Sequence, residues 1–92
     1  MKYKIKFTSR FKKDLKQAKK QGKDLNALFK IIEKIANDEP LDEKYRDHSL
    51  WGNYKGTREC HIEPDFLLIY EKLEEVLVLS LIRIGSHSDL FR

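Results

Sequence analysis

The second half of this 92-residue chain gathers side chains that could move protons: His48, Arg58, Glu59, His61, Glu63, Asp65, Arg83, His87 and Asp89, with all three histidines among them. Histidine is the side chain whose ordinary pKa suits proton transfer near neutral pH. An arginine at the end of a strand can grip a phosphate with paired hydrogen bonds and meet charge that grows on it. Rings such as Phe66 and Phe91 can stack on an unpaired base. Together these parts suit RNA cleavage without a metal. A base takes the 2′-hydroxyl proton, an acid protonates the departing 5′-oxygen, and a cation steadies the crowded phosphorane. Taken singly, each histidine is more often a surface or hydrogen-bonded imidazole, and Glu59 and Glu63 read as solvated strand ends. The clustering is what points to chemistry.

Other chemistries fit less well. His48, Cys60, His61 and His87 suggest a zinc site, but Cys60 and His61 are neighbours on a strand and point to opposite faces. No metal or other cofactor is expected. The chain has no GxSxG, no HExxH and no glycine-rich phosphate loop. Cys60, the single cysteine, excludes an intrachain disulfide and is expected to pack in the core rather than act as a nucleophile.

These groups need elements to hold them. Tyr3, Ile5 and Phe7 alternate with Lys4 and Lys6, which predicts a short strand with one buried face. Thr8 or Ser9 can cap a helix that starts near Arg10 and carries a narrow apolar stripe of Phe11, Leu15 and Ala18. Asp24 can cap a second helix with a wider stripe, Leu25 to Ala36, which should lie deeper. Residues 38–53 have no clear period and read as a long loop carrying Arg46, His48 and Trp51, with Trp51 expected to pack against the domain. Tyr54–Ile62 reads as a strand with Cys60 and Ile62 on one face and Thr57, Glu59 and His61 on the other. Pro64 interrupts, and Phe66–Leu73 forms the next strand. After a tight turn at Glu74-Glu75, Val76–Ile84 is apolar on both parities and should be central, though parity leaves the face of Arg83 open. Gly85 ends it, and Ser86–Phe91 forms a turn or short helix. The expected architecture is α+β in the order β-α-α-β-β-β. A twisted, mainly antiparallel sheet has the helical hairpin on one face, and the other face is open and carries His61.

One domain spans residues 1–92. Residues 1–37 hold twelve Lys or Arg against three Asp or Glu, whereas the remainder is net acidic within a total of +4. The basic half suits a polyanion such as nucleic acid, an acidic protein, or simply a solvated helix surface. No apolar run approaches the roughly 20 residues of a membrane helix, and the cytoplasm is the expected compartment.

Three segments carry a family resemblance: Tyr45–Leu50 (YRDHSL), Trp51–Tyr70 with its H-x-E-P-D-aromatic core, and Arg83–Phe91 with R-x-G-x-H-x-x-L-F. With the lysine-rich helical hairpin they resemble the YafQ branch of the RelE/ParE toxin superfamily along nearly the whole chain. The resemblance implies a RelE-like fold and a type II toxin that enters the ribosomal A site and cuts mRNA there without a metal. It implies a cognate antitoxin as partner, with operator DNA bound only through the antitoxin complex. Carried over by motif, the catalytic set falls on His48, His61, Asp65, Arg83 and His87, with Phe91 and Phe66 holding the mRNA. Arg46, Lys55 and Arg58 are further candidates for substrate contact. Two other readings belong to different classes: a binding module without catalysis, or a gyrase inhibitor like the ParE side of the superfamily. Gyrase poisoning needs no acid–base set, so the three histidines weigh against it.

Overall fold

The lysine-alternating start does form a strand, β1 (Lys4–Phe7), in the computed structural model, which describes residues 1–91. Tyr3 is buried beside it, but Phe7 at the far end is 41% exposed and leans on the Phe11 ring at 5.7 Å. Two helices follow, α1 (Ser9–Lys20) and α2 (Leu25–Ala36). Each begins where its cap falls: Thr8 accepts from the Phe11 N–H and Asp24 from the Ala27 N–H. α1 buries only Phe11 and Ala18, as its narrow stripe predicts. α2 buries Leu28, Ile31, Ile32, Ile35 and Ala36, and each large side chain among them contributes about 1.5–3 kcal/mol.

The sheet has five strands in the order β1-β5-β4-β3-β2, built from β2 (His48–Ser49), β3 (Arg58–Glu63), β4 (Phe66–Leu73) and β5 (Val78–Gly85). β1 runs parallel to β5 and every other pair is antiparallel. The helices cover one face, where Cys60, Ile62, Leu68, Tyr70, Leu79 and Leu81 join them in the main core. Among the described residues no helix is long and apolar enough to cross a membrane.

Four expectations change in detail. The long loop contains two 3-10 turns (Glu43–Tyr45 and Gly52–Tyr54) and the two-residue β2, which pairs His48 with Glu59 and Ser49 with Arg58. The strand expected from Tyr54 begins only at Arg58, because the Thr57 N–H closes a turn on the Tyr54 carbonyl and Gly56 has φ 92°. β5 starts at Val78 rather than Val76, since residues 74–77 form the turn and Leu77 has φ 52°. The face away from the helices is partly covered. Leu67, Ile69 and Leu90 form a second small cluster there, packed with Leu50, Tyr54 and Ile82. That second layer explains why β5 is apolar on both parities.

Candidate active site

A two-residue turn, Pro64-Asp65, joins β3 to β4, with Glu63 paired to Phe66 and the register shifted between His61 and Glu63. At the other end of the site Gly85 lets the chain fold back into α3 (His87–Leu90). A Cβ on Gly85 would lie 3.2 Å from the Asp89 Cβ, so only glycine accommodates this approach without a shift. Ser86 and Asp89 cap α3 reciprocally. The two ends then meet: Asp65 Oδ1 accepts from the His87 backbone N–H at 3.0 Å and lies 3.3 Å from His87 Nδ1. The backbone bond first, then the ring bond, holds the Asp65 carboxyl below the usual carboxylate range. A carboxylate can only accept, so His87 Nδ1 carries the proton and Nε2 is left for chemistry.

The second half of the site is built on β2 and β3. Glu59 is 3% exposed, and its Oε1 lies 3.3 Å from His61 Nε2 and 3.5 Å from His48 Nε2. One buried carboxylate oxygen is therefore shared by two imidazoles. The turn before His48 fixes the other side of its ring. Arg46 has φ 49°, a left-handed conformation rare outside glycine, and its carbonyl accepts from His48 Nδ1 at 2.6 Å. Beyond it, Asp47 accepts from Arg58 Nε at 3.1 Å and from the Tyr70 hydroxyl at 2.8 Å, which ties the loop to the sheet.

The two halves join in a continuous row of rings. Centroids are 6.4 Å apart from His48 to His61, 5.6 Å from His61 to His87, 6.1 Å from His87 to Phe91 and 5.7 Å from Phe91 to Tyr54. A cleft of about 620 Å³ beside the row is lined by Tyr45, Arg46, His61, Glu63 and His87. Among the described residues one group has metal-ligand spacing. Glu59, His61 and His87 each offer a donor atom, all within 4.8 Å of one another, in place of the cysteine-containing set weighed from the sequence. Burial pushes the Cys60 thiol above its ordinary pKa, which keeps it protonated and inert.

Two expected contacts are redirected. Phe66 is 1% exposed in the main core, so it cannot take a base in this arrangement; Phe91, 42% exposed, can. Arg83 turns from the histidines to α1, where Asp14 accepts from its Nε at 3.0 Å and its Nη2 at 2.9 Å. It lines a different cleft, of about 430 Å³, with Arg10, Asp14, Phe66 and Gly85. β1 pairs with β5 only as far as Leu81, and Asp14 also takes the Ile84 N–H at 3.2 Å beyond it. Of the further candidates, Arg46 lines the histidine cleft, Lys55 is exposed outside it, and Arg58 is engaged by Asp47 and by Ser49 at 3.0 Å.

Glu59 was visible in the sequence but read as a solvated end. Its spacing of two from His61 on a strand was the available signal. Trp51 is a second departure, for it is 79% exposed rather than packed.

Comparison with known proteins places this geometry. Residues 3–92 match the family model described as the bacterial toxin of type II toxin–antitoxin system, YafQ. The mRNA interferase toxin YafQ of Escherichia coli K12 is 39% identical over 88 residues, covering 95% of this chain and 94% of that protein. A metal-bound toxin from Helicobacter pylori superposes with a TM-score of 0.91 at 45% identity, over 97% of this chain and 99% of that one. The toxin in the E. coli DinJ–YafQ toxin–antitoxin complex superposes with a TM-score of 0.88 at 36% identity over the whole of both chains.

Proposed function

The chain belongs to the YafQ family of bacterial toxins of type II toxin–antitoxin systems, and from that premise we propose that it is an mRNA interferase that cuts mRNA in the ribosomal A site by metal-independent acid–base catalysis. The observation that carries the reading is the row of three imidazoles, each with a fixed partner, two of which, His61 and His87, line one cleft.

The site has two proton-handling poles. One is Asp65–His87, with Asp65 orienting the ring and His87 Nε2 exchanging the proton. The other is His61, backed by Glu59 and His48. One pole takes the proton from the 2′-hydroxyl as its oxygen attacks phosphorus. The other delivers a proton to the 5′-oxygen as the P–O bond breaks, leaving a 2′,3′-cyclic phosphate and a 5′-hydroxyl. Such groups typically contribute 10²–10⁴-fold each. Arg46, exposed in the same cleft, is better placed than Arg83 to meet charge on the phosphorane. Phe91 offers its ring to an adjacent base.

The exposed lysines of α1 (Lys12, Lys13, Lys16, Lys19 and Lys20) are the surface for ribosomal RNA. A cognate antitoxin neutralises the protein, as the DinJ–YafQ complex suggests by kinship, and the pair together reaches operator DNA.

Primer extension on mRNA in a reconstituted translation reaction, with chelator present, tests this. Wild type should cut only with ribosomes, and His87→Ala should not cut. Absence of cleavage by antitoxin-free wild type would sink the proposal.

A further inference from the structure

The ring row has two ends, His48 and Tyr54, and the chain joins them directly through residues 49–53. Trp51 is the midpoint of that connection. Three extended residues span at most about 11 Å, so its Cα lies within that reach of both ends. The connection is anchored on each side of Trp51. Leu50 donates its N–H to the Thr57 carbonyl at 3.0 Å and packs on the second cluster, while the Tyr54 hydroxyl donates to the Leu90 carbonyl at 3.3 Å. Between these anchors Trp51 is 79% exposed, and among the described residues no ring or cation packs on it. Its backbone is extended, at φ −123° and ψ 177°, just before the 3-10 turn at Gly52. A large ring held on a tethered segment, within chain reach of both ends of the ring row, has the properties of a stacking platform. It offers a wide apolar face, and the held backbone leaves little freedom to lose on binding.

We propose that Trp51 is a base-stacking subsite for single-stranded RNA, holding an unpaired base next to the one at Phe91. This rests on the nuclease reading above and deepens it by naming a substrate contact. The chemistry fits an unpaired base because stacking needs only a π face and leaves the Watson–Crick edge free. Lys55, exposed just past the turn, can meet a flanking phosphate.

Trp51 is the only tryptophan, so its fluorescence reports on this subsite alone. Antitoxin-free protein is titrated with a short oligoribonucleotide whose 2′-hydroxyls are methylated to block cleavage, and emission should be quenched on binding. In the reconstituted cleavage reaction, Trp51→Ala should raise KM for the ribosome–mRNA complex about tenfold with kcat nearly unchanged, the scale of one lost stack. Trp51→Phe should recover most of that loss, and the melting temperatures of both variants should match wild type because the ring is already in water. If wild type cuts mRNA while RNA leaves the emission unmoved and Trp51→Ala keeps its KM, the subsite is wrong and the nuclease stands. If wild type fails to cut yet RNA still quenches Trp51, the subsite stands without the nuclease. Loss of antitoxin affinity in Trp51→Ala with KM unchanged would make the ring a protein contact and overturn the proposal.

Discussion

The clefts on either side of α3 contain similar groups in opposite states. Beside α1, Arg83 and Asp14 are matched: two bonds to the guanidinium, a third from the Ile84 N–H, and side chains only 14% and 12% exposed. Hydrogen bonding to Asp14 holds the Arg83 pKa above its ordinary value despite burial. Around the histidines the groups are shared instead. One Glu59 oxygen serves two histidines, Asp65 serves His87 twice, and the Arg46 backbone is left-handed to reach His48. A fully paired charge has little left to offer a substrate, whereas shared and oriented groups keep free positions from which protons can move. On the function proposed above, we assign the Arg83 cleft to holding the fold together and the histidine cleft to the chemistry.

The largest expected effect is on the histidine side. His87→Ala should lower ribosome-dependent cleavage by about 10²–10⁴-fold while urea unfolding barely changes. Next, Glu59→Gln should cut the rate by about ten- to a hundredfold and alter the pH–rate profile, since it removes the charge behind two imidazoles but keeps the shape. An unaltered profile would return Glu59 to a structural role. Excess copper(II) or zinc(II) should inhibit several-fold and chelator should restore activity, because an ion at Glu59, His61 and His87 would occupy the lone pairs the reaction needs.

On the other side, Asp14→Ala should cost about 2 kcal/mol by urea unfolding, with activity reduced only as far as stability explains. If Arg83→Ala instead abolished cleavage in a protein as stable as wild type, the division of labour between the clefts would fail. The smallest effect concerns an exposed aspartate held by two lysines. Asp38, bonded to Lys2 at 2.7 Å and Lys72 at 2.6 Å, has its pKa lowered from 3.8 to about 2 by those hydrogen bonds, Lys2 first. A carboxyl depressed in the folded state stabilises above its unfolded pKa and loses that contribution as pH falls through the folded value. The stability gap between wild type and Asp38→Asn should therefore be present at pH 5 and close between about pH 4 and pH 2.

The sequence made the helices legible because their signals are local: Thr8 and Asp24 stand one residue before the helices they cap. Parity along β3 correctly put Glu59 and His61 on the face opposite Cys60 and Ile62. The sequence did not reveal that Glu59 is buried, because β2 beside it is two residues long and has no period to read. Arg83 escaped for a different reason. The register between β4 and β5 shifts between Ile69 and Tyr70, so that Ile82 is passed over, and its partner Asp14 lies on a distant helix. Trp51 is exposed where packing was expected, since which ring is covered depends on the turns around it, while Phe66 lies buried in β4, out of reach of a base. The three histidines could be gathered from their types, but their spacing in space came only from the Pro64-Asp65 turn and the fold-back at Gly85.

The pairing of β1 with β5 sets a schedule. Lys4 finds its neighbour in Val78, so the sheet cannot close until β5 has been made, and the first strand waits for the fifth. α3 follows β5, and with it His87 and Phe91. While the chain is being synthesised, His48, His61 and Glu59 have no opposing pole. On the function proposed here, the protein would act on the machinery that makes it, and the two poles of its site would meet only after β5 and α3 have been made.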